Sequence, residues 1–163
     1  MLRRMVYGGA TDAGLSTVLP LLQIGHRREL TIEPHWSKEE LVRHPEPREL
    51  IRSMRKPGNL DEEGRPVYTL DERRSLTADI YENRVVKQTV ETVQHRLDDL
   101  ADEEDPAVSG EAQVLARVLE GARRQAPFLD EVGFVGRTDM PTATLTQDPL
   151  YRRMMAIRAE IAE

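Results

Sequence analysis

Between Ser75 and Ala101 the apolar residues Val86, Val90, Val93, Leu97 and Leu100 recur at intervals of four, three, four and three. That spacing lays them along one stripe of an α-helix and predicts a long amphipathic helix over 79–101 with one buried seam. Carried backwards, the stripe runs into Asn83 and Asp79, so the opening turn Ile80-Tyr81-Glu82-Asn83-Arg84 breaks the apolar rule where the helix begins. Asp79 with Glu82 three residues on predicts a capping box, with Thr77 as a competing start. Polar residues on a seam set register, cap the helix or belong to a site. Ala112, Leu115, Leu119, Ala122 and Ala126 predict a second helix over 110–126, opening near Ser109, whose alanines allow close approach by a partner. Leu150, Met154, Ile157 and Ile161 predict a third over 149–162, with Asp148 as N-cap and Pro149 at the first helical position. None of the three seams can bury itself alone. The expected fold is therefore mainly α: a long antiparallel helical hairpin, turning through the acidic run from Asp98 to Asp105, with a third helix packed alongside. The last helix is still in full period at Glu163, as expected of a fragment or of a chain that continues into a partner.

The rest of the chain is less regular. Residues 1–64 read as a small, irregular N-terminal segment with minor β, the end of an upstream β-containing part, and 65–163 as the helical domain. Leu15, Val18, Leu19 and Leu22 have helical spacing that Pro20 is expected to disturb. Leu30-Thr31-Ile32 alternates like a short strand and is expected to stop at Pro34. Ser37-Lys38-Glu39-Glu40 has capping-box spacing and predicts a short helix over 38–43 ended by Pro45, with another from Arg48 to Arg55. Val67 to Leu70 reads as a strand or extended lead-in, and Thr69 to Glu72 also has the spacing to start a turn of helix. Thr138 to Thr146 is a polar crossing segment without periodicity.

Composition narrows the chemistry. A net charge of −6 argues against a protein that coats nucleic acid generally, while leaving room for a local basic face. With no cysteine, thiolate zinc sites, disulfides and cysteine nucleophiles are excluded. The longest apolar run, Val18 to Ile24, is too short to span a bilayer, and a cytoplasmic chain with no membrane partner is expected. His26, His35, His44 and His95 show no metal-ligand spacing, neither Ser16 nor Ser109 has a triad pattern, and no cofactor or metal is expected. Metal-dependent nucleases place an acidic residue two positions before a lysine. Trp36, Met54 and Val85 stand there before Lys38, Lys56 and Lys87, so no catalytic residue is assigned. If folding gathers Arg73, Arg74, Arg84 and Lys87 at the start of the long helix, a phosphate-binding face results. Ordinary surface arginines paired with carboxylates are the competing reading, and the acidic balance favours it.

The string Tyr81-Glu82-Asn83-Arg84-Val85-Val86-Lys87 opens the long helix. A second helix and Phe128-Leu129-Asp130-Glu131-Val132 follow, and then Thr144 to Asp148, Pro149, Leu150, Tyr151 and Arg152. In this order the motifs resemble the helical domain of uncharacterised McrC-related, restriction-endonuclease-like proteins, over about residues 65–163. The resemblance carries over Glu82, Asn83, Arg84, Asp148, Pro149, Tyr151 and Arg152 as structural or docking residues. It implies a helical module that precedes a PD-(D/E)XK nuclease domain and works with an AAA+ motor. The implied role is non-catalytic, positioning a nuclease or coupling it to a partner ATPase or GTPase in restriction or phage defence, with DNA engaged indirectly. A stand-alone helical adaptor or homo-oligomerising protein with no DNA role is the alternative. If the two motif turns meet, Arg84 is expected to donate to Asp148 or to carbonyls of the crossing segment, setting the exit angle of the third helix.

Overall fold

The longest helix in the computed structural model, Tyr81–Ala101, buries the predicted seam as far as Leu97 and a second row beside it, with Leu100 half-buried. The structure describes residues 1–38, 41, 42, 46–136 and 141–162. In chain order the elements are α1 (Leu2–Tyr7), α2 (Leu15–Gly25), β1 (Glu29–Lys38), α3 (Pro47–Arg55) and β2 (Tyr68–Thr77). They are followed by α4 (Tyr81–Ala101), α5 (Pro106–Arg124), a 3-10 turn at Pro127–Glu131, α6 (Ala143–Gln147) and α7 (Pro149–Ala162). The chain is mostly helical with one small two-stranded antiparallel sheet. None of the described helices is long and apolar enough to cross a membrane.

Two compact units emerge: Met1–Arg28 together with Ala78–Glu163, and Glu29–Thr77. The first 28 residues thus pack with the helices, and the break in the chain falls at 28/29 and 77/78 rather than at 64/65. In this larger unit α4 contacts both α5 and α7, which is why its buried surface is wider than one seam. Val85 and Thr89 are buried alongside Val86, Val90, Val93 and Leu97. α2 forms despite Pro20, with Leu15, Val18, Leu19 and Leu22 all at 0% exposure. Full burial of four such side chains contributes about 1.5–3 kcal/mol each, against about 3 kcal/mol for an internal proline, so the helix wins. α5 starts earlier than its seam, because Asp105 accepts from the Ala107 N–H and Pro106 occupies the first turn. Part of the crossing segment is also helical: Thr142 caps α6 by accepting from the Leu145 N–H, whereas residues 138–140 lie outside the described residues.

The smaller unit is a ribbon. β1 does not stop at Pro34 but pairs with β2 from Glu29↔Thr77 to Lys38↔Tyr68. The reason lies in which backbone groups point outward. The Tyr68 N–H bonds Asn59 Oδ1 and the Leu70 N–H bonds Ser53 Oγ, so even-numbered positions of β2 turn away from β1. Pro34 pairs in register with Glu72, a position of the same class, and its missing N–H removes only an outward donor. Side chains near α3 thus cap one ribbon edge and a proline blunts the other. Ser37 and Lys38, expected to open a helix, are strand residues; Glu39, Glu40, Arg43, His44 and Pro45 lie outside the described residues. Thr69 to Glu72, and Thr77, are likewise strand rather than helix starts. α3 follows its predicted bounds and packs on β2.

Candidate functional site

Asn83 lies in the first turn of α4 and is wholly buried, and a buried amide must find partners. Its Nδ2 donates to the carbonyl of Ala78 at 2.7 Å and to that of Arg27 at 2.9 Å. Its Oδ1 accepts from the Tyr151 hydroxyl at 2.5 Å, and that hydroxyl accepts from the Arg27 N–H at 3.0 Å. Only this orientation of the amide satisfies all four groups. Tyr151 is fully enclosed, and burial pushes its pKa above the usual tyrosine value, so it stays a protonated donor. Arg27 and Ala78 flank the segment 29–77, so the pair Asn83–Tyr151 pins both points where the chain leaves and re-enters the helical unit.

Tyr151 reaches Asn83 because α7 starts where the sequence places it. Asp148 Oδ1 accepts from the N–H groups of Leu150 at 3.0 Å and Tyr151 at 3.4 Å, and Pro149 fills the first turn. The two motif turns therefore meet, but through Asn83 and not through Arg84. Arg84 forks onto Asp79, Nε to Oδ1 and Nη2 to Oδ2, both at 2.8 Å. Asp148 is engaged in its cap, whereas Asp79 lies just before the helix and presents both oxygens. The Asp79 carboxylate also accepts from the Gly133 N–H at 2.7 Å. It consequently does not cap α4, whose N-cap is Ile80 without a side-chain bond.

The first two turns of α4 hold the segment that follows α5 at three further points. Glu82 Oε1 accepts from the Thr142 hydroxyl at 2.6 Å, bracing the cap of α6. Lys87 donates to the Val132 carbonyl at 2.5 Å and lies 5.1 Å from the centroid of the Phe134 ring. Through Asp79, Arg84 is tied to Gly133. Arg84 and Lys87 are thus engaged in internal contacts. Arg73 and Arg74 are exposed on β2 in the other unit, with Arg74 3.8 Å from Glu72, and Arg152 is on the exposed side of α7. Thr142, Gly133 and Arg27 carry no motif, although the residues that join them, Glu82, Asp79, Asn83 and Tyr151, all stand out in the sequence. Among the described residues no group of three His, Cys, Asp or Glu could hold a metal ion.

The Arg84 guanidinium, followed by the Gly133 N–H, holds Asp79 down at about 2, below the usual carboxylate value of about 3.9. A depressed carboxylate stabilises the fold above its unfolded pKa, and that contribution is lost as pH falls through the folded one. The wild type should therefore lose its advantage over Asp79→Asn between about pH 4 and pH 2. Both side chains are about one-third exposed (Arg84 37%, Asp79 34%), so screening limits the difference, and the cost of Arg84→Ala, to about 1 kcal/mol. Urea unfolding of both proteins across this range checks it; a constant gap would mean that Asp79 does not titrate with folding.

Comparison with known proteins finds no match to a family model, to a curated protein or to a solved structure, so the likeness to McrC-related proteins rests on the short motifs alone.

Proposed function

We propose that this chain is a non-catalytic helical module of a McrC-like restriction or phage-defence system, positioning a nuclease or coupling it to an AAA+ partner. The observation that supports the reading is the direct Asn83–Tyr151 bond, which joins the Glu-Asn-Arg turn to the Asp-Pro-x-Tyr-Arg turn. Residues 68 apart in the chain, both carried by the two motifs of the resemblance, complete one buried hydrogen-bond set. In this reading α4 and α5 are the legs of an antiparallel hairpin with α7 alongside. The polar residues of the motifs then act mechanically, fixing helix starts and the crossing segment so that docked partners meet a rigid surface.

Co-purification with the products of neighbouring reading frames tests the reading. A stoichiometric complex with a nuclease or AAA+ subunit is expected, and the purified chain alone should leave DNA uncut with Mg²⁺ or Mn²⁺. Metal-dependent cleavage that survives stringent repurification would overturn the non-catalytic assignment. A stable homodimer that retains neither partner would replace it with the stand-alone adaptor.

A further inference from the structure

α3 packs inward through Leu50 and Ser53, and Ser53 is wholly buried. At about 100° per residue, Arg48, Arg52 and Arg55 then fall within about 60° of one another on the opposite side, spanning about 10 Å of helix. All three are exposed, with Ile51 beside them at 50% exposure. Among the described residues Arg48 and Arg55 have no ion-pair partner, and Arg52, itself largely exposed, has only the mostly buried Glu49 at 3.2 Å. Lys56, just past the helix end, lies 3.9 Å from the centroid of the Trp36 ring. Trp36 itself remains 38% exposed, and Lys38 and Tyr68, a register pair, share its face of the ribbon. Glu46, Asp71 and Glu72, with Glu49 and Arg74, line a separate small hollow of about 150 Å³, so of these acids only Glu49 pairs with the α3 arginines.

We infer that the outward face of α3, with Trp36 beside it, binds the phosphate backbone of a nucleic acid strand. Closely spaced guanidiniums suit a ligand that repeats an anionic group along its length, as a phosphate backbone does, each fork taking one phosphate bidentately. Exposed aromatic rings beside cations add what a nucleic acid offers and an acidic peptide does not, a base to stack. The inference stands on the unit 29–77 and is independent of the role proposed for the helices.

Fluorescence anisotropy with labelled oligo-dT of about 20 nucleotides tests it, alongside a duplex and poly-glutamate. Oligo-dT binding that weakens steeply with salt is expected, and Trp36, the only tryptophan, should change emission on binding. Replacing Arg48, Arg52 and Arg55 together by Ala should weaken binding at least tenfold. The slope of log affinity against log salt should become shallower by about 2, at about 0.7 for each phosphate no longer neutralised. The triple lysine variant keeps the charge and should recover most of the affinity. Tighter duplex binding would keep the phosphate site and identify a double strand as its ligand. No oligo-dT binding at low salt, unchanged binding by a triple alanine variant that keeps its circular dichroism, or tighter binding to poly-glutamate would each overturn the inference.

Discussion

Tyr151→Ala is expected to remove about 4–8 kcal/mol of stability, comparable to the whole stability of many natural domains at room temperature. Two losses combine. Truncating a wholly buried aromatic ring costs about 3–5 kcal/mol in lost transfer energy and residual cavity. The hydroxyl goes with it, leaving Asn83 Oδ1 and the Arg27 N–H without their partner in a buried site, at about 1–3 kcal/mol for an orphaned group. Tyr151→Phe separates the two, since it keeps the ring and should cost only about 1–3 kcal/mol. Asn83→Ala should be at least as harmful as Tyr151→Phe, because it strips the partners from the carbonyls of Arg27 and Ala78 as well. Combining Asn83→Ala with Tyr151→Phe should cost less than the sum of the two, with a coupling of about 0.5–3 kcal/mol. Equilibrium urea denaturation measures all four. Wild-type stability in Tyr151→Phe, or additivity in the double variant, would show that the hydroxyl–amide bond contributes nothing.

What the sequence discloses about this site, and what it hides, follows from the range of each interaction. Helix existence is written in local periodicity, so Val86, Val90, Val93 and Leu97 announce α4, and Asp148-Pro149 announces α7 at its correct first residue. Asn83 is visible as an anomaly, an amide on an apolar stripe. Its partners are not, because Arg27 and Tyr151 lie 56 and 68 residues away. Arg84 has several carboxylates within plausible reach, and no local rule distinguishes Asp79 from Asp148. The ribbon departs from expectation for a different reason. Proline is excluded from strand interiors only when its N–H is needed by the ladder, and which side Pro34 faces is set by register, not by its neighbours. The capping box at Ser37 fails similarly, since a hydroxyl and a carboxylate three apart fit a helix start only if pairing with β2 has already ended. The acidic run, in contrast, contains its own answer: Asp105-Pro106 is a helix start of the same form as Asp148-Pro149.

The second large effect is expected at Gly14, where the backbone leaves no room for a methyl group. Gly14 precedes α2 with φ −92°, a conformation any residue adopts, so backbone preference is not the obstacle. A Cβ there would lie 2.3 Å from the Gly8 nitrogen and 2.4 Å from the Tyr7 carbonyl carbon and the Val6 carbonyl oxygen. All three are main-chain atoms at the end of α1, and none can rotate aside. Gly14→Ala must therefore push α1 and the 8–13 loop away from α2. That movement strains the Gly8↔Ala13 bridge and the 2.7 Å bond from Arg153 Nε to the Ala13 carbonyl, and it loosens Met5 and Val6, both fully buried. A loss of about 3 kcal/mol or somewhat more is expected, at the top of the usual range for overpacking because the clashing atoms are all main chain. The same substitution elsewhere should act in the opposite direction. Gly110 and Gly121 lie within α5 with nothing within 4 Å of an added Cβ, so Gly110→Ala and Gly121→Ala should each stabilise by about 0.4–1 kcal/mol. Thermal melts of the three variants place the effect: a large fall in Tm for Gly14→Ala beside small rises for the other two is expected. A Gly14→Ala protein that melts with the wild type would mean that α1 does not pack against the start of α2.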